Sequence, residues 1–559
     1  MEFLDARRLT GPSLLFDRPG SILDVGCTRE EADRLIPVWA DHVTRMLEEL
    51  DWPSAQFSTL HLVGGVSLAF TAPIDALYAA AEINEWAWAA SACELGVTNE
   101  APDFDAAVAA VKTSAKDESN SELMWLVHEA QERGKTLLWD DDDVSVGLGD
   151  GSETWPVREI PDAPDWDSYH DVPIGIVTGT NGKTTSVRLA VHILQTAGHT
   201  VGCSSTDWIA VNDTVLDRGD WSGPGGARTV LRRQDVDVAI LETARGGLLR
   251  RGLGVERADA ALITNISEDH LGDFGSQDLD ELLDIKWIVS RAVEKSGRLI
   301  LNADDAMSCD KSRDYTGKLV WFSLNPDDPT IISHTGDGGI AFVLDGDELV
   351  KLGDGGRIVI CRGHEIPIAM GGAARHNIAN ALSAAALTDA LGVSLKNIRD
   401  GLKTMVQDEN PGRSNLYELD DRSILVDFAH NPAAMMALFD MARAVPAKRR
   451  VLCFGQAGDR TDPLIRELAR DAWAIGLDRI IVSELAAYHR GRQHGDVYAI
   501  IRDELVRCGA DELQIEHNET EMESFMSAIE WAEPGDLVIM LALGGAAPVQ
   551  AQLKELGAQ

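Results

Sequence analysis

The stretch Ile174-Gly-Ile-Val-Thr-Gly179-Thr180-Asn181-Gly182-Lys183-Thr184-Thr185 constrains the fold of this chain more than any other. An apolar β-type run, Ile174 to Val177, stops at a glycine loop, and the loop opens into the helical pattern Val187-Arg-Leu-Ala-Val-His-Ile-Leu. Strand, glycine turn and helix in that order make a phosphate cradle. Glycines let backbone N–H groups turn towards an anion, and the helix N-terminus adds the positive end of its dipole. Lys183 has the length to reach terminal phosphates, and the Thr184 hydroxyl is a Mg²⁺ ligand type. Val177 stands where the general eight-residue phosphate-loop pattern has its first glycine. An ordinary glycine turn is the alternative, and the strand–turn–helix context favours the cradle.

The 559 residues correspond to about three to four domains by length, and 45% hydrophobic residues suffice for full-sized cores. Against 91 acidic residues stand 50 basic ones, a formal charge of −41. Such a surface repels nucleic acid and anionic lipid, so neither is expected as a partner, and solubility is the simplest reason for it. The seven cysteines include no C-x-x-C pair, which points away from a disulfide framework or a zinc site. Met-Glu-Phe-Leu-Asp-Ala-Arg-Arg is not a signal peptide, and no apolar run of about 18 or more residues is present. The expectation is a cytoplasmic enzyme.

Residues 1–165 read as a separate α+β region. A helical pattern from Glu30 to Leu50 and another from Pro73 to Gly96 flank the β-like alternation Phe57-Ser-Thr-Leu-His-Leu-Val. The tryptophans of Asn84-Glu-Trp-Ala-Trp-Ala-Ala suit a core better than a ligand cage. Trp139-Asp-Asp-Asp-Asp-Val and Gly147-Leu-Gly-Asp-Gly-Ser read as acidic turns, and Pro156, Pro161, Pro164 and Pro173 mark a linker. No chemistry is legible there, and docking or assembly is the expected role.

Beyond the loop, Val236-Asp-Val-Ala-Ile-Leu-Glu242 and Ala260-Ala-Leu-Ile-Thr-Asn-Ile266 are short apolar strands, the second running into Ser-Glu-Asp269-His270. Strands alternating with helices imply a mostly parallel sheet, whose ligands sit at the strands' carboxyl ends. Glu242 and His270 are thus expected beside Lys183 and Thr184, where carboxylate, imidazole and hydroxyl make a divalent-metal site.

These residues carry a resemblance. Gly179-Thr-Asn-Gly-Lys-Thr-Thr185 resembles the nucleotide loop of the Mur ligase family. Leu241-Glu-Thr-Ala-Arg-Gly-Gly-Leu-Leu-Arg250 and Thr264-Asn-Ile-Ser-Glu-Asp-His-Leu-Gly272 resemble, within it, the Mur-type half of cyanophycin synthetases. Similar motifs come in family order: Leu301-Asn-Ala-Asp-Asp305, Arg375-His-Asn-Ile-Ala-Asn-Ala381, Asn410-Pro-Gly-Arg413, Val426-Asp-Phe-Ala-His-Asn-Pro432, Gly458-Asp-Arg460 and Arg490-Gly-Arg492.

The resemblance implies an ATP-dependent ligase that activates a carboxylate as an acyl phosphate, which an amine attacks to give an amide. By it, Gly179, Thr180, Asn181, Gly182, Lys183, Thr184 and Thr185 hold the phosphates. Thr184 and Glu242 hold one Mg²⁺, and His270 holds a second. Lys286, on the helical pattern Leu279-Asp-Glu-Leu-Leu-Asp-Ile-Lys, matches the lysine that many members carbamylate. A surface lysine lying along an amphipathic helix is the other reading. Asn377 and Asn380 match adenine-contacting asparagines, or cap the alanine-rich helix that starts near Asn380. Arg413 and Asp427 match positions that close over phosphate and ribose. Arg245, His430, Asp459, Arg460, Arg490 and Arg492 are candidates for positioning substrate or closing the cleft, although arginines in an acidic protein also pair with surface carboxylates.

The expected fold is α/β: a P-loop Mur-ligase central domain over residues 172–409, with a small β insertion at about 315–370, then a Rossmann-like C-terminal domain over 410–559, both preceded by the α+β region. Ser423–Asp427, Arg450–Phe454, Arg479–Val482 and Asp536–Met540 are its C-terminal strands. The ATP-grasp module of cyanophycin synthetases has no counterpart between the N-terminal region and the loop, and Gly455-Gln-Ala-Gly-Asp-Arg departs from their glycine-richer form. Small carboxylate and amine substrates are implied, arginine onto an aspartyl carboxylate being the specific pairing. γ-Glutamyl elongation and a non-catalytic ATP-binding partner are the alternatives. Relatives suggest a homo-oligomer.

Overall fold

The strand Ile174–Thr178 is buried along its whole length and lies inside an eleven-stranded sheet. Val238–Glu242 pairs with it in parallel on one side and Ala258–Ile263 on the other. The chain therefore leaves this strand first to one side and later to the other, and the strand order reverses directly beyond its carboxyl end. That reversal opens a crevice for ligands. The computed structural model describes every residue except Pro53, residues 269–277, Asp354, Gly545 and Gln559.

Parallel pairing continues through Val293–Asn302 and Leu319–Ser323 to Ile340–Asp345. Antiparallel strands finish both edges: Glu348–Gly353 and Gly356–Arg362 at one, Trp208–Val211 and Thr214–Arg218 at the other. Residues 315–370, expected as a small β insertion attached to the core, supply four strands that extend the central sheet. The Gly/Asp-rich turns obscured this, whereas Ala341 to Leu344 are buried without a break, the pattern of a strand covered on both faces.

Helices Lys183–Thr196 and Arg375–Ala390 pack together over one face of the sheet. The second is buried nearly all round, and Ala381, Ala384, Ala385 and Ala386 let it approach the first closely. It begins at Arg375, so Asn377 and Asn380 lie inside its first turns and do not cap it; Ala374 occupies the cap position without a side-chain bond.

The N-terminal region opens with a four-stranded antiparallel sheet, in the order Glu2–Leu9, Gly20–Gly26, Gly65–Thr71, Phe57–Leu62. Helices Arg29–Glu49 and Leu77–Glu94 cover one face, the first started by a Thr28–Glu31 capping box. Trp86 is 8% exposed within that core, and Trp39 donates its indole N–H to Asn84 Oδ1 at 3.0 Å. The acidic turn after Trp139 is a clasp: Arg232 donates to Asp140 Oδ2 at 2.6 Å and Arg8 to Asp141 Oδ1 at 2.6 Å. Backbone bonds complete the docking onto the central sheet, Leu253 N to Pro12 O at 2.6 Å and Asp150 N to Val236 O at 2.8 Å.

The C-terminal sheet has six strands in the order Asn415–Leu419, Arg422–Asp427, Leu537–Leu541, Arg450–Phe454, Arg479–Ser483, Ile515–Asn518. All pair in parallel except the first.

Candidate active site

Two glycines shape the loop beyond Thr178. Gly179 has φ +143° and Gly182 φ +83°, values that side chains with a Cβ rarely adopt. A Cβ on Gly179 would stand 1.8 Å from Thr264 Oγ1, and one on Gly182 would stand 2.2 Å from Asn380 Oδ1. The neighbouring strand end fixes the rest: Thr180 N donates to Asn265 O at 2.9 Å and Asn181 N to Asn265 Oδ1 at 3.0 Å. Lys183 folds back and donates to Thr180 O at 2.9 Å. Thr184 and Thr185 are buried in the first helical turn, where unpaired backbone N–H groups and the dipole favour an anion.

Glu242 ends its strand at 1% exposure. It accepts from Thr206 Oγ1 at 2.6 Å and Thr206 N at 3.4 Å, so the carboxylate is aimed before any ligand arrives. Lys286 is 4% exposed, unlike a surface lysine, and donates to Gly179 O at 2.7 Å. It thereby brings a second cation against the loop. His270 lies outside the described residues.

Asn377 donates to Ile368 O at 2.9 Å and Asn380 to Asn377 Oδ1 at 3.2 Å. Arg413 lies 4.8 Å from the Phe428 ring centre and 3.7 Å from Asp207 Oδ2. Asp427 accepts from Ser414 N at 2.6 Å, Ser414 Oγ at 3.1 Å and Ala429 N at 2.6 Å. His376 Nε2 lies 2.9 Å from Ser414 Oγ, and burial pushes its imidazole below the ordinary value of 6.5 against the pull of Asp427. His430 meets the Phe428 ring edge-on at 5.0 Å.

A cavity of about 710 Å³ runs between the central and C-terminal sheets. Every described residue expected at the site lines it, except two. Asp459 pairs with Arg490, and Arg492 donates to Gly458 O at 2.8 Å and Arg460 O at 2.7 Å. These two shape the loop that presents Arg460 and Arg490. Thr206, Asp220, Ser222, His376 and Tyr488 also line the cavity. His376 sits in the Arg375–Ala381 motif, and Asp220-Trp-Ser-Gly-Pro-Gly-Gly has the composition of a ligand turn; Thr206 has no signal of its own.

The Mur ligase middle domain model matches residues 177–388, and the Mur ligase glutamate ligase domain model matches 412–544. The chain is 38% identical over 332 residues to cyanophycin synthetase of Synechocystis sp., covering 59% of this chain and 38% of that one. With cyanophycin synthetase of Trichormus variabilis it shares 36% over 372 residues, covering 66% and 41%. It therefore spans about two fifths of the length of these relatives. UDP-N-acetylmuramoylalanine–D-glutamate ligase of Chromobacterium violaceum is 28% identical over 376 residues, covering 65% and 68%. In fold the chain is similar to E. coli FolC, solved in complex with ADP, with a TM-score of 0.50 at 18% identity, covering 68% of this chain and 89% of that one. With the two family models spanning more than half of its length, the chain belongs to the Mur ligase family.

Proposed function

We propose that this chain is an ATP-dependent carboxylate–amine ligase that forms an amide through an acyl phosphate and releases ADP and phosphate. The convergence of Lys183, Thr184, Glu242 and Lys286 at the foot of a two-domain cleft carries this reading. Two anions, the γ-phosphate and a carboxylate, must meet there, and the surrounding protein is strongly acidic. Local cations have to offset that repulsion, most of all as charge shifts in the transition state.

The nucleotide fits the chain. Gly179 and Gly182 leave backbone where a Cβ would collide, and Asn377 and Asn380 bury amide groups along the same cavity, suited to an adenine edge. A hard divalent cation also fits, with Thr184 and Glu242 as oxygen donors; the resemblance assigns His270, which lies outside the described residues, to a second cation. Bound Mg²⁺ would supply charge neutralisation as negative charge shifts in the transition state.

Lys183 and the loop N–H groups hold the β- and γ-phosphates, and Lys286 adds charge behind Gly179. Attack of a carboxylate oxygen on the γ-phosphorus forms the acyl phosphate and expels ADP. The C-terminal wall, with His430, Arg460 and Arg490, orients the amine. Its nitrogen attacks the acyl carbon, the bond from that carbon to the phosphate oxygen breaks, and the proton given up by the nitrogen leaves on the departing phosphate. Closure of the two domains keeps water from the acyl phosphate.

Phosphate release from ATP and Mg²⁺ across a matrix of small carboxylates and amines, with mass spectrometry for amide products, tests this. A specific pair should be required, and Lys183→Ala should abolish turnover. Nucleotide binding with no productive pair would favour a non-catalytic ATP-binding partner of another ligase.

A further inference from the structure

Three carboxylates are among the described residues lining the cleft: Glu242, Asp427 and Asp220. Glu242 is bound to Thr206, and Asp427 is filled by Ser414 and Ala429. Asp220 differs. Its Oδ1 accepts from Ser222 N at 3.1 Å and Ser222 Oγ at 2.5 Å, which locks the carboxylate plane. Its Oδ2 accepts no hydrogen bond from the described residues, and the residue is exposed.

The Asp220 turn is built into the wall that holds Glu242. Trp221 N donates to Ser205 O at 2.9 Å, and Ala244 N donates to Ser222 O at 2.9 Å. Next to Ala244, Arg245 opens the helix Arg245–Arg251 and lines the same cavity. The two segments approach so closely that a Cβ on Gly247 would stand 3.1 Å from Gly223 Cα, and Gly246 leaves space beside Arg245. An anion and a cation thus line one cavity from adjoining segments of the central domain. This is the side of Lys183 and Thr184, where the reacting carboxylate must sit, and Arg460 and Arg490 face it from the other domain.

We infer that Asp220 and Arg245 form a zwitterion-recognition pair, and that the carboxylate substrate is a free acidic α-amino acid. Asp220 receives its α-ammonium and Arg245 its α-carboxylate, while the side-chain carboxylate points to the phosphate loop. A succinate-like diacid lacks the ammonium, and an internal residue of a peptide lacks both groups, so neither satisfies the pair. The inference rests on the ligase reading for which carboxylate reacts, but its test is one of binding.

L-Aspartate, L-glutamate, succinate and glutarate are titrated calorimetrically into the full chain with Mg²⁺ and a non-hydrolysable ATP analogue. One of the amino acids should bind tighter than its matching diacid by about 10- to 100-fold, the worth of a charge-assisted hydrogen bond. Asp220→Asn should reduce that ratio to within about threefold and leave binding of the ATP analogue and its Mg²⁺ dependence unchanged. Arg245→Met should weaken the amino acid and the diacid alike and preserve the ratio. Equal binding of amino acid and diacid, no binding of either amino acid, or a ratio untouched by Asp220→Asn overturns the inference. A raised Mg²⁺ requirement in Asp220→Asn would make Asp220 a cation ligand instead. Amide formation without this discrimination would refute only the inference, and discrimination without ATP-dependent amide formation would refute only the ligase reading.

Discussion

Asn181 and Asn431 exchange two side-chain amide hydrogen bonds across the cleft, Asn181 Nδ2 to Asn431 Oδ1 at 3.2 Å and Asn431 Nδ2 to Asn181 Oδ1 at 2.9 Å. One belongs to the phosphate loop. The other caps the helix Pro432–Ala444, accepting from Ala434 N at 2.9 Å. The loop and the C-terminal domain are therefore registered to each other by a direct bond, at the point where the proposed chemistry occurs.

Substitution of Asn431 separates these two tasks. Asn431→Ser keeps a capping oxygen but cannot span to Asn181. Its stability should stay within about 1 kcal/mol of wild type, while turnover falls at least about tenfold with nucleotide affinity little changed. Asn431→Ala should lose both. Steady-state assays and denaturant melts of the two variants decide it; wild-type turnover by Asn431→Ser would show that the bridge is incidental.

Gly182→Ala places a methyl against Asn380 Oδ1 at a positive φ. The strain is about 1–3 kcal/mol, and relief by shifting the loop would misplace the phosphate-binding amides. Affinity for an ATP analogue should drop more than about tenfold while the fold survives. Titration of the analogue checks this, and unchanged affinity would mean that the loop amides do not hold the phosphates.

Arg188 is 7% exposed and pairs with Asp207. It donates to Asn410 Oδ1 at 3.1 Å and Pro411 O at 3.2 Å, and lies 4.3 Å from the Trp208 ring centre. Burial lowers its guanidinium to about 10 against the attraction of Asp207, so it stays charged at neutral pH. Arg188→Met takes the donor from Asn410 Oδ1 and Pro411 O at the domain junction, while Asp207 keeps Arg413 at 3.7 Å, and should cost about 1–3 kcal/mol. Equilibrium unfolding measures this, and a loss below about 1 kcal/mol would contradict the account.

His376 carries a pH signature. Its folded value lies below 6.5 because it is buried, so between the two values the unfolded chain binds the extra proton. Its share of stability is complete above about pH 6.5 and is lost as pH falls towards the folded value, at up to about 1.4 kcal/mol per pH unit. Burial lowers His334 as well, acting in the same direction. Denaturant midpoints from pH 7.5 to 5 should fall, and His376→Gln should flatten the slope by at most one proton. An unchanged slope in that variant would remove His376 as a source.

Much of the fold and of the candidate site's lining is legible in the sequence because it is local. The loop announces itself by glycines between a strand and a helix, and the strand ends Glu242 and Asp427 by apolar runs that stop at a carboxylate. Four of the six C-terminal strands fall within a residue or two of their observed bounds, and Asn415–Leu419 and Ile515–Asn518 escape. Features that depend on distant partners are hidden. The strands Ile340–Asp345 to Gly356–Arg362 look like a small attached sheet because pairing with Leu319–Ser323 is set by the sheet and not by their own pattern. Strand Gly20–Gly26 escapes a sequence reading for the same reason, and the helices Phe104–Glu118 and Ser121–Glu132 escape it although Asp103 and Asn120 cap them locally. Asn377 and Asn380 look like caps because alanines dominate the residues after them, whereas the helix already runs at Arg375. Thr206, which aims Glu242, sits 36 residues from it in sequence, and no spacing rule joins them.

The central claim is an acyl phosphate, and isotope transfer tests it most directly. The productive carboxylate is labelled with ¹⁸O in both oxygens and turned over with ATP, Mg²⁺ and the amine, and the released phosphate is analysed by mass spectrometry. The account predicts ADP as the only nucleotide product and one ¹⁸O in the phosphate for each amide formed. Unlabelled phosphate, or AMP with pyrophosphate, would contradict it.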